Sequence, residues 1–177
     1  MNVATRSDID RAPDHLRALL RHFSDLRDGT HGDGAVSRAD KEKLFIIAID
    51  YLAPYARQAL GEMNDVLLLA SGTVVASGVS RSLEGDVAAV WTLSWPEQEQ
   101  AGIPPVTLEV FFGHGFHHPH LRGATVGTWP LNVFSDADAA AELPTLRAIA
   151  AADLHNLVFQ RDYRIVPVII RGKQHSH

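Results

Sequence analysis

The chain has 177 residues, of which 46% are hydrophobic, and this is enough to bury the core of one domain. Its net charge of −5 argues against nucleic-acid binding, which requires clustered lysine and arginine side chains. The sequence contains no cysteine, which excludes disulfides, thiolate metal ligands and cysteine nucleophiles.

Membrane and secretory signals are also missing from the sequence. No apolar run reaches the roughly 20 residues that span a bilayer. The first residues include Arg6, Asp8 and Asp10 and lack the apolar region of a signal peptide. We therefore expect a cytoplasmic protein that binds neither nucleic acid nor membrane.

Two helices are predicted in the N-terminal part. The first begins near Ser7, and its apolar residues recur at helical spacing, so this stripe should pack against another element; they are Leu16, Leu19, Leu20, Phe23 and Leu26. The glycine-rich residues 28–34 lack the ligand spacing of a calcium loop and are interpreted as a flexible linker. Ser37 begins the second helix, which Pro54 kinks and Gly61 ends.

Strands are predicted from residue 66 onward. Four runs rich in β-formers are separated by glycine and proline, and they cover residues 66–70, 73–79, 87–95 and 106–112. Their short spacing indicates an antiparallel meander. Trp91, Leu93 and Trp95 share one face by the two-residue period and are predicted to be core residues. Residues 96–100 are interpreted as a surface loop.

The C-terminal part is predicted to contain two helices and a strand. An extended segment over residues 128–134 leads to a short helix that Ser135 caps and Pro144 ends. The last helix starts near Thr145 and has an apolar stripe. Residues 165–170 are predicted to form a strand at the sheet edge, because Pro167 cannot donate to a central ladder.

Together these elements predict one α+β domain over residues 1–177. Residues 1–62 form a helical N-terminal part. Residues 63–177 form an antiparallel sheet of about four to five strands, with a C-terminal helix and an edge strand.

Four histidines follow the predicted strand 106–112 within seven residues: His114, His117, His118 and His120. Imidazole suits zinc and other transition metals, and a catalytic site needs about three protein ligands. Glu109 or His155 could add a further ligand from another element. Four histidines on one loop rarely converge on one ion without such ligands, so the alternative interpretation is a structural loop held by hydrogen bonds. An ion at this position would activate water for hydrolysis.

Other catalytic patterns are absent from the sequence. No serine lies in a Gly-x-Ser-x-Gly elbow. Gly113-His114-Gly115 lacks the third glycine of a dinucleotide-binding fingerprint. Asp153 and His155 are two residues apart on a predicted helix, so they should point to different sides and not act as a pair.

A series of short motifs runs through residues 95–134. They are Trp95-Pro96, Pro104-Pro105, the predicted strand and His118-Pro119-His120. This series resembles the central part of the ubiquitin-conjugating (UBC-like) fold, which has a Phe-Pro-like pair, a Pro-Pro turn, a strand and a His-Pro-Asn triplet. Gly127-Thr128-Trp129-Pro130-Leu131 matches the family's cysteine segment and has Pro130 in the cysteine position.

The resemblance implies a catalytically inactive variant that binds a ubiquitin-like protein or a conjugating partner. His120 takes the position of the family's asparagine, which steadies an oxyanion and the local loop. Thr128 is the hydroxyl nearest to the lost sulfur, but a threonine nucleophile needs a base. Two features depart from the family: two N-terminal helices instead of one, and a terminal strand instead of helices.

Two functional hypotheses follow. Under the first, the chain is a cysteine-free UBC-like protein-interaction module or an accessory subunit of a larger complex, with no cofactor. Under the alternative, it is a small His-ligated metalloprotein, including a metal-dependent hydrolase, whose 114–120 histidine cluster binds zinc or another divalent transition metal. The candidate catalytic residues are His118, His120 and Thr128, and the sequence leaves enzymatic and non-catalytic roles both open.

Overall fold

The computed structural model describes residues 6–32 and 34–172 and confirms an α+β fold with N-terminal helices. Within these residues the helices are α1 (Arg6–Asp10), α2 (Asp14–Asp28), α3 (Arg38–Leu67), α4 (Pro96–Gln100), α5 (Asp136–Ala141), α6 (Leu143–Gln160) and α7 (Pro167–Arg171), with a 3-10 turn at Tyr163–Ile165. The strands are β1 (Thr73–Arg81), β2 (Val87–Ser94), β3 (Val106–Phe112), β4 (His120–Arg122) and β5 (Trp129–Pro130).

The strands form one antiparallel sheet in the order β1-β2-β3-β4-β5. Buried and half-buried residues alternate along β2, which confirms the predicted two-residue period. Trp91 and Leu93 of β2, together with Trp95 just after it, are buried in the core as predicted. The Trp95 indole Nε1 donates to the Ile165 carbonyl at 2.5 Å, which ties the C-terminal segment to the sheet.

Helix α3 is the central helix and packs against α6 and the sheet. It begins as predicted, because the Ser37 hydroxyl accepts a hydrogen bond from the Asp40 N–H at 3.1 Å. The predicted end at Gly61 is wrong, and so is the predicted strand 66–70, since α3 continues to Leu67. Residues of α3 on both sides of Pro54 are buried in the core. This burial stabilises the helix by more than the low helix propensity of Pro54 and Gly61 destabilises it.

The predicted C-terminal edge strand is also wrong. Residues 163–171 form a 3-10 turn followed by α7. Pro167 lies in the first turn of α7, where backbone N–H groups have no acceptor within the helix, so the missing N–H of proline costs no hydrogen bond. Pro144 likewise lies in the first turn of α6 and does not end α5. The predicted surface loop 96–100 is α4, whose Gln98 is buried and hydrogen-bonded to Trp95 and Ile103.

Helix α2 faces the rest of the protein with its polar side. The expectation that its apolar stripe packs against another element is wrong for Leu16, Leu20, Phe23 and Leu26, which are 43–58% exposed. The residues turned inward include Arg21, His22 and Asp25. Among the described residues, no helix combines the length and apolar character needed to cross a bilayer.

Replacing Ser37 with alanine should lower the free energy of unfolding by about 1 kcal/mol, because the Asp40 N–H loses its acceptor. Urea denaturation followed by circular dichroism measures the change. Ser37→Asp is the matched control, since aspartate caps a helix about as well as serine. Equal losses for both variants would contradict the capping role.

Candidate metal centre

Three potential metal ligands, Asp25, His31 and His118, meet beneath α2. One ligand atom from each lies within 4.8 Å of the others. The three residues are 8%, 2% and 1% exposed, so the group is buried. Two imidazoles and one carboxylate form a ligand set that suits divalent transition-metal ions.

Asp25 and His31 are positioned by the end of α2 and the turn after it. Gly29 adopts a left-handed conformation with φ of 68°, which ends the helix and turns the chain back. Thr30 then donates its hydroxyl to Asp25 Oδ1 at 2.7 Å and its N–H to the Asp25 carbonyl at 3.0 Å. The His31 N–H donates to the Ala35 carbonyl at 2.9 Å, which holds the His31 loop closed.

His118 comes from the segment between β3 and β4, on the opposite side of the cluster. Its Nε2 lies 2.9 Å from the Thr30 carbonyl oxygen. Because a carbonyl only accepts hydrogen bonds, Nε2 carries the proton and Nδ1 keeps its lone pair. Metal-binding histidines typically donate their second ring nitrogen to a carbonyl or carboxylate in this way.

Two further imidazoles, those of His22 and His120, border the cluster. The His22 ring centroid lies 4.7 Å from that of His118 and 5.9 Å from that of His120. Four buried atoms here have no hydrogen-bond partner among the described residues: His22 Nδ1, Asp25 Oδ2, His31 Nδ1 and His120 Nδ1. Each such atom costs roughly 1–3 kcal/mol, and two of the four, Asp25 Oδ2 and His31 Nδ1, belong to the candidate ligand residues.

The cluster also favours neutral imidazoles. Burial, assisted by the neighbouring charge of His118, lowers the pKa of His31 to about 4. Burial likewise lowers the pKa of His22, His118 and His120. Neutral imidazole is the form that binds metal ions.

The stability of the metal-free chain should fall as the pH drops from 6.5 to 4. In this window His31 binds a proton in the unfolded chain but not in the folded one, so stability is full above pH 6.5 and decreases toward pH 4. The shift corresponds to about 3 kcal/mol. Urea denaturation across this range measures the slope. A His31→Gln variant with an unchanged slope would contradict this assignment.

The structure brings only part of the predicted histidine cluster together. His118 belongs to the buried group and His120 borders it. His114 and His117 are exposed and lie outside it, and the His114 N–H donates to Asp86 Oδ1 at 2.5 Å near the β1–β2 turn. Thr128 is exposed, and in the described part of the chain no hydrogen bond joins its hydroxyl to an imidazole.

The structure does not bring Glu109 or His155 into the cluster. Glu109 forms an ion pair with Arg122 at 2.6 Å, and His155 is exposed on α6 beside Phe159. Asp153 and His155 do not pair, as predicted, because Asp153 is buried against Thr107 and Thr125. The second element is instead α2 with the turn that follows it.

Sequence reasoning missed His22, Asp25 and His31. His22 and Asp25 are three residues apart, which places them on one face of a helix, and this spacing was a usable signal. His31 lies between glycines in a segment interpreted as a plain linker, although it is buried and holds a β-bridge to Ala35.

Comparison with known proteins found no matching family model, no similar curated protein and no similar solved structure. The fold and the site therefore define the class: an α+β protein with a buried histidine–aspartate cluster.

Proposed function

We propose that this chain is a metal-binding protein in which Asp25, His31 and His118 bind one divalent transition-metal ion. The observation that carries the proposal is the convergence of three buried ligand residues, two of which, Asp25 and His31, each have a buried polar atom without a hydrogen-bond partner among the described residues. The neutral imidazoles and the Thr30 carbonyl that fixes the His118 ring add support.

A structural ion fits this site better than one that activates water. Structural zinc sites are closed by four protein ligands, whereas catalytic sites keep an open position. Here the three ligands are nearly inaccessible, so water has little access to the ion. The rings of His22 and His120 border the cluster, but their nitrogens lie outside the group of ligand atoms within 4.8 Å of one another, so a fourth nitrogen requires one of these rings to turn. Zinc is the first candidate, because tetrahedral nitrogen and oxygen ligation suits it.

Metal titration of the full chain tests the proposal. The protein is stripped with a chelator, dialysed, and titrated with Zn²⁺ and with Co²⁺, whose visible spectrum reports coordination. One equivalent of tightly bound metal, retained after gel filtration and measured by elemental analysis, is the expected result. Metal content well below one equivalent would refute the proposal.

A second candidate is the cytoplasmic, cysteine-free UBC-like module that binds a ubiquitin-like protein or a complex subunit. The order of elements supports it: α3 is followed by an antiparallel meander and then by α5, α6 and α7. Because α5, α6 and α7 follow the sheet in the described residues, the expected departure on the C-terminal side is absent, whereas the N-terminal departure remains, since α1, α2 and α3 precede the sheet. NMR titration with ubiquitin tests the candidate. Shifts confined to one continuous surface would support it, and an unchanged spectrum at millimolar ubiquitin would count against it.

A further inference from the structure

Helix α2 is attached to the protein with little burial of apolar surface. In the described chain the buried hydrophobic core begins at Phe45 and includes no side chain of α2. Most of the large apolar side chains of α2 face solvent, with Phe23 58% and Leu16 49% exposed, and Leu19 is half-buried. Burial of apolar surface is the main force that docks helices in globular proteins, and α2 makes little use of it.

Polar and ring contacts connect α2 to the rest of the protein. Asn132 Nδ2 donates to the Ala18 carbonyl at 2.9 Å, and the Arg21 guanidinium lies 4.3 Å from the centre of the Phe134 ring. The third connection is the cluster, where His22 and Asp25 face His118. Asn132 Oδ1 is a further buried atom without a hydrogen-bond partner among the described residues.

The turn after α2 fits closely against the same region. A Cβ atom added at Gly32 would overlap the ring of Phe134, and φ of 49° at this residue also favours glycine. His31 itself lies 4.8 Å from Phe134, centroid to centroid. The candidate ligands on α2 and its turn thus sit on one side of the cluster, and His118 sits on the other.

We infer that the bound metal ion holds α2 on the protein, and that loss of the ion releases α2 and the turn residues 29–32 as one unit. The inference rests on the proposed metal site and concerns its regulation. An ion bound by Asp25, His31 and His118 together connects α2 and its turn to the β3–β4 segment. The free energy of metal binding therefore stabilises the docked position of α2. Without the ion, the buried unpartnered atoms oppose docking, and α2 becomes the least stable part of the fold.

Hydrogen–deuterium exchange of the full chain tests the inference. Zinc-loaded and chelator-treated protein are compared, with the zinc content of each measured. We expect amide exchange in α2 and at residues 29–32 to rise by at least ~10-fold on metal removal, while α3 and α6 stay protected. His118→Gln with zinc present should resemble the metal-free protein, and His114→Gln, a histidine outside the cluster, should resemble the loaded one.

The possible outcomes separate the inference from the proposed function. Stoichiometric zinc with unchanged exchange in α2 would overturn the inference and leave the metal site intact. Loss of protection throughout the chain would also overturn it, because the release would then be global. A chain that binds no zinc would overturn the proposed function, and the inference with it. Should His118→Gln fail to fold, Asp25→Asn provides the second variant, and the wild-type comparison stands without either.

Discussion

Replacing His118 with alanine is expected to weaken zinc binding by more than ~100-fold. His118 is the buried ligand that reaches the cluster from the β3–β4 side, and its ring is already oriented by the Thr30 carbonyl. Its removal leaves Asp25 and His31, which belong to α2 and its turn, without a partner across the cluster. Competition with a chromophoric chelator measures the loss.

A matched control is available on the same loop. His114 and His117 are exposed and lie outside the cluster, so His114→Ala with His117→Ala should leave zinc affinity within about twofold of the wild type. The opposite pattern, with binding lost in the double variant and kept in His118→Ala, would show that the contiguous loop binds the ion.

Replacing Asp153 with alanine is expected to lower the free energy of unfolding by about 3 kcal/mol. Asp153 is fully buried, and its Oδ2 accepts the Thr107 N–H at 2.9 Å. Its Oδ1 accepts the Thr125 N–H at 2.7 Å and the Thr125 hydroxyl at 2.5 Å. Truncation therefore leaves two backbone donors without their acceptor, one at the start of β3 and one in the 123–128 loop.

Urea denaturation measures this effect through the midpoint and the slope of the transition. Asp65→Ala serves as the control, because Asp65 is exposed on α3 and its loss should cost less than about 0.5 kcal/mol. A loss below about 1 kcal/mol in Asp153→Ala would show that water replaces the carboxylate and that the residue does not fix the loop.

Much of the fold could be predicted, because its strands and helix caps leave local patterns. The alternating burial of β2 and the caps at Ser37 and Ser135 follow from residue type and spacing alone. The length of α3 could not be predicted in this way, since contacts distant in sequence keep it helical through Pro54 and Gly61. The strand predicted at residues 165–170 is wrong because a short apolar run does not distinguish a strand from a helix.

The candidate site was only half predictable for a similar reason. The loop that contains His118 was singled out from its composition, but the residues that meet it lie far away in sequence, as the 88-residue separation of Thr30 and His118 shows. The apolar stripe of α2 also predicts the wrong buried face. Because that stripe is exposed, the inward face contains His22 and Asp25, which an amphipathic pattern assigns to solvent.

Crystallography of the zinc-loaded protein, with anomalous data collected on both sides of the zinc absorption edge, tests the metal centre most directly. We predict one anomalous peak about 2.0 to 2.2 Å from a ligand atom of each of Asp25, His31 and His118. A loaded crystal with no peak at this position, or with its peak at His114 and His117, would contradict it.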